Sequence, residues 1–207
     1  NFDTEEMATA IGNGWMYQTL AGETDPNGWY SDPYIDGFGH SLFPFVGEYL
    51  AKAKTIDAEF VRQAIHLFAE KFPRAPEDIG ILLNHLTLYA NEEEPIARNR
   101  IKLSLAQQFM VSWLNFSTPI LAAESRQFMS SSGGTQLIIV HSDQEKVLKE
   151  LTSILPELQN IPHDPANEFV ISYFDSTNRL IIVANVKTER VDAFFLALKQ
   201  KQYIDRN

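Results

Sequence analysis

The hydrophobic period of this chain changes once, across the stretch MSSSGG at residues 129–134. Before it, apolar residues recur mainly at helical spacing. After it, short β-branched runs alternate with helical ones. A chain with both periods must bury a helical stripe and a sheet face, which points to an α+β protein. The Ser/Gly composition of 129–134 reads as a linker. The expected organisation is a mostly helical domain over 1–128, a linker at 129–134 and an α/β domain over 135–207.

Leu42, Phe45, Val46, Tyr49 and Leu50 follow the i, i+3, i+4, i+7, i+8 stripe of a helix starting near Ser41, with Pro44 in its first turn. Asp57 is placed to cap a second helix through Val61, Ile65 (or Ala64), Phe68 and Phe72, stopped by Pro73 and Pro76. Glu77 and Asp78 open a third through Ile79, Leu82, Leu83, Leu86 and Tyr89. The run NEEEP at 91–95 reads as a solvated turn. A fourth helix then carries Ile101, Leu105, Phe109, Trp113 and Phe116 toward Pro119. Residues 2–20 are a weaker candidate, interrupted by Gly12 and Gly14. Short joints make this an antiparallel helical array.

Beyond the Ser/Gly stretch, TQLIIVH reads as a buried strand, and Asp143 as the cap of a helix through Leu148 and Leu151. Residues 168–174 and 179–186 are two β-rich runs across the polar turn DSTN, a hairpin. Thr188 is placed to cap a last helix. The order β-α-β-β-α predicts a ferredoxin-like sheet with helices on one face.

Charge is unevenly placed. Of the net −10, residues 1–51 carry −8, with eight carboxylates and no Lys or Arg. Within that quarter, residues 23–40 interleave Asp25, Asp32 and Asp36 with Trp29, Tyr30 and Tyr34, among Pro26, Gly28, Pro33, Gly37 and Gly39. Pro and Gly argue against a regular element between Asp25 and Gly39. The stretch reads as an ordered acidic aromatic loop. A field of one sign speeds encounter with a basic partner and repels nucleic acid, while Trp and Tyr are common interface anchors. Asp25, Trp29, Tyr30, Asp32, Tyr34 and Asp36 are therefore the candidate partner-binding residues. The competing reading is structural, with the aromatics cementing the loop to the helices.

Catalytic signatures are missing from the sequence. Zero cysteines exclude disulfides, thiolate metal sites and Cys nucleophiles. The five histidines have no metal-ligand spacing, and the glycines at 133–134 precede a strand rather than follow one, unlike a phosphate loop. No cofactor and no metal are expected. A hydrolase using carboxylates such as Asp32 and Asp36 is the alternative from another class. No apolar run reaches the ~20 residues of a membrane span. The expected location is cytoplasmic; the start at Asn1 leaves a periplasmic binding or scaffold module open if a leader preceded it.

The segment DPYIDGFG at 32–39, followed by SLFPFVGEYLAK and EFVRQAIHLFAEKF, resembles a family of acidic helical bacterial immunity proteins from polymorphic-toxin and contact-dependent inhibition loci. The resemblance covers about residues 30–90. It implies a non-enzymatic protein that binds a cognate toxin, often a cationic nuclease, and blocks its active surface.

Overall fold

The computed structural model describes residues 4–141, 145–164 and 166–206, so the expected cap Asp143 lies outside the described residues. The chain divides into two compact units, Asn1–Ala75 and Pro76–Asn207.

In the first unit, α1 (Thr4–Thr9) passes through a π-helical stretch (Ala10–Met16) into α2 (Tyr17–Ala21). Gly22 ends α2 at φ +77°, a left-handed cap that suits a residue without Cβ. The loop expected to run to Gly39 ends earlier, because α3 spans Pro33–Ala51. Pro33 falls at the start of the helix, where no intrahelical donor is needed, and Asp32 caps it. Pro44 consequently sits inside α3 rather than in its first turn. α4 (Ala58–Lys71) follows, with the Asp57 carboxylate accepting from the Phe60 N–H at 2.8 Å. Phe38, Leu42, Val46, Tyr49, Phe60 and Ala64 form the core of this unit.

The second unit is a sheet between two helical layers. Its elements are α5 (Ile79–Leu82), β1 (His85–Ala90), α6 (Pro95–Gln108), β2 (Trp113–Ser117), α7 (Ala123–Ser131), β3 (Thr135–Val140), α8 (Glu145–Ile154), β4 (Phe169–Phe174), β5 (Leu180–Asn185) and α9 (Val191–Gln200). Among the described residues the sheet has five strands in the order β2-β1-β3-β5-β4. β1 runs parallel to both β2 and β3, β3 runs parallel to β5, and only β4 is antiparallel. Leu86, Leu88, Leu137, Ile139 and Ile182 pack with Ile101, Leu105, Phe195 and Leu198 from α6 and α9. On the other face, Ile138, Val140, Ile181 and Val183 pack with Met129, Leu148 and Leu151 from α7 and α8.

These facts correct several expectations. The mixed α/β class holds, and so does the β4–β5 hairpin. The ferredoxin-like order with helices on one face is not what forms, since the sheet is mostly parallel and covered on both faces. The expected third helix is α5 followed by β1, and the expected fourth is α6 followed by β2. β1 is buried on both faces and shows no alternation, so its apolar positions can be fitted to a helical period.

The unit boundary falls at residues 75–76, and 129–134 lies inside the second unit, where it ends α7 and enters β3. Gly134 is held there by packing: a Cβ would lie 2.8 Å from the His85 carbonyl oxygen at the start of β1. Gly133 has open space around its Cβ position. Gly134→Ala is therefore expected to lower stability by about 1–3 kcal/mol, with Gly133→Ala near neutral. Equal melting temperatures for the two variants would contradict this packing.

Candidate functional site

The six residues singled out in the sequence all lie in the first unit, around the N-terminus of α3. Each aspartate uses Oδ1 to order nearby chain. Asp25 accepts from the Asn27 backbone and side chain at 3.0 and 2.9 Å. Asp32 accepts from the Tyr34 and Ile35 N–H groups at 2.8 and 3.1 Å. Asp36 reaches back from the first turn of α3 to the N–H groups of Trp29 and Tyr30, at 2.7 and 3.1 Å. An anion near a helix N-terminus is also favoured by the helix dipole. The loop is thus bonded to the helix that follows it.

The three aromatics differ in exposure. Trp29 is buried, stacked on His40 at 3.7 Å and edge-on to Phe43 at 5.9 Å. Half-buried Tyr34 meets Phe72 edge-on at 5.1 Å. Tyr30 is 40% exposed and donates its hydroxyl to Glu5, a hydrogen bond that raises the phenol pKa above its ordinary value. Of the proposed anchors, Tyr30 presents the most ring to solvent.

Beside this cluster, α3 and α4 bound an open groove of about 420 Å³. Phe45 and Leu67 line it with Pro44, and Glu48 and Glu70 stand on its rim with His66. It offers apolar surface framed by carboxylates.

The second unit has a polar cluster that the sequence reading passed over. β1, β3 and β5 are mutually parallel, so their carboxyl ends lie at one end of the sheet. There Glu92, just after β1, accepts from the Thr188 hydroxyl at 2.6 Å and meets His141 Nε2, just after β3, at 2.7 Å. Thr188 Oγ1 lies 3.3 Å from the same nitrogen. The Thr188 hydroxyl thus serves this cluster, and no side-chain cap bond from Thr188 forms at the last helix. Asn91 Oδ1 accepts from the Ile120 N–H at 2.7 Å and fixes the loop after β2. No family model, curated protein or solved structure matches this chain.

The cluster stands where the chain path changes direction. From β1 the chain crosses by α6 to β2, and from β3 it leaves by α8 toward β4, on the opposite face and side. Open α/β sheets bind ligands at such switch points, beyond the carboxyl ends of the strands. Glu92 sat in a run of three acids that looked like a solvated turn, and His141 followed an apolar run. Only the pairing of β1 with β3 brings them together. Among the described residues no group of three or more His, Cys, Asp or Glu could hold a metal ion, and no helix is long and apolar enough to cross a membrane.

Proposed function

We propose that this chain is a non-enzymatic protein-binding protein whose acidic helical unit covers the functional surface of a basic partner, in the manner of an immunity protein against a cognate bacterial toxin. The observation that carries this reading is charge segregation. Residues 1–51 hold eight carboxylates without a single Lys or Arg, and α3 sets one of them, Glu48, on the rim of an apolar groove. Long-range attraction then brings the partner in, and the groove and Tyr30 supply contact area.

Co-purification from the native source is the direct test, with a basic protein as the expected partner. Glu48→Gln with Glu70→Gln should slow association several-fold at low salt. The difference should shrink as ionic strength rises, because a Debye length is only about 8 Å at physiological salt. Trp29→Ala should act differently, lowering the melting temperature by loss of a buried ring, with partner kinetics of the folded fraction unchanged. Turnover of a small substrate by the purified chain, with no partner recovered, would overturn the reading.

The Glu92–His141–Thr188 cluster favours a second reading, in which the α/β unit holds a small polar ligand at its switch point. Glu92→Gln keeps the shape and removes the charge. Under this reading it abolishes ligand-induced stabilisation in a thermal-shift screen of polar metabolites. A screen in which no compound stabilises the wild-type chain would remove it.

A further inference from the structure

Among the described residues no strand pairs with the outer edge of β4, and the chemistry of that edge is self-complementary. β4 pairs with β5 along one side only and ends the strand order. Its sequence, FVISYF, has no charge, proline or glycine, the devices by which edge strands usually avoid further pairing. Phe169, Ile171 and Tyr173 turn to the face packed by α8. Val170, Ser172 and Phe174 turn to the other face, which α9 covers only in part. Val170 is 51% exposed there, beside a groove of about 320 Å³ lined by Val186, Phe194 and Ala197.

We infer that two copies of this chain join along β4, antiparallel and about a twofold axis, to make one continuous sheet. A twofold axis normal to the sheet places a β4 residue opposite its own copy, so that each half of the strand meets the other half. Centred on Ile171, the pairing sets Glu168 opposite Phe174 of the second copy. The Arg206 guanidinium lies over the Phe174 ring at 4.1 Å from its centroid. Glu168, whose Oε2 also pairs with Arg190 of its own copy, therefore arrives beside a second cation from the other copy, and the contact is made twice. Val170 falls opposite Ser172 in the same register, and its exposed methyl groups leave water. The opposite edge, β2, is one residue shorter.

An added six-residue strand makes a small interface, so the dimer should be weak, with a dissociation constant of about micromolar order. Sedimentation equilibrium of the full chain over a concentration series tests this. The expected result is a monomer–dimer equilibrium that Val170→Lys and Arg206→Glu each weaken about tenfold or more, with the circular dichroism spectrum unchanged. Arg206→Glu combined with Glu168→Arg should recover part of the affinity, which a merely structural role for Arg206 would not produce. A chain that stays monomeric at its solubility limit would overturn the proposal. So would a dimer that both single variants leave intact, because its interface would lie elsewhere.

Discussion

Arg179→Ala is expected to lower the stability of the second unit by about 3–5 kcal/mol. Arg179 stands just before β5, after the hairpin turn, and joins three pieces of chain. Its Nε and Nη2 lie 2.8 and 2.7 Å from Asp175 Oδ2, and both side chains are largely buried. Its Nη1 donates to the carbonyls of Met129 and Ser132 at 3.0 and 2.7 Å, in the last turn of α7 and just past it, where carbonyls lack helical partners. Removing the guanidinium leaves a buried carboxylate without its cation and two carbonyls without a donor.

The loss should depend on pH. Burial pushes the Asp175 carboxyl up, but hydrogen bonds from Arg179 and Thr177 outweigh it and hold the group below the usual carboxylate range. A depressed folded-state pKa stabilises the native state above the unfolded value, about 4, and that contribution disappears as pH falls through the folded value. The difference between wild type and Arg179→Ala should therefore be widest near neutrality and narrow below about pH 4. Urea denaturation at several pH values measures it. A deficit under about 1 kcal/mol at neutral pH would mean that water replaces the pair at no cost.

Phe60→Ala is the second large effect, expected to cost about 3–5 kcal/mol within the first unit. Phe60 is 1% exposed, stacked on Phe45 at 4.7 Å and edge-on to Tyr49 at 4.9 Å. Hydrogen exchange should show lost protection over residues 4–75 and unchanged protection in β1, β3 and β5. Equal loss across both units would show that they unfold as one cooperative body rather than as the two that the contacts define.

Local signals were legible where a short segment answers to itself. Asp57 before α4 caps it as its sequence suggests, because a cap needs only the next three residues. The hairpin at 175–178 was equally readable, since DSTN joins two β-rich runs and the two strands need only each other. The acidic stretch reads as loop as far as Gly39, whereas α3 begins at Pro33. Pro33 looked like a breaker, and only the cap by Asp32 turns it into a helix start.

What the residues alone determined is the charge asymmetry, the want of cysteine chemistry, the mixed class and the amphipathic helices. All of these depend on composition or on contacts within a few residues. Tertiary structure decided the rest. Leu86, Thr87 and Leu88 become strand because β3 and β2 lie on either side, and their partners stand roughly thirty to fifty residues away. Gly134 is structural because the His85 carbonyl presses on it. Glu92, His141 and Thr188 form a cluster because three parallel strands end together. A strand with both faces buried has no period of its own to read, and a site assembled from strand ends has no spacing in the sequence. Both come into being only when the sheet closes around them.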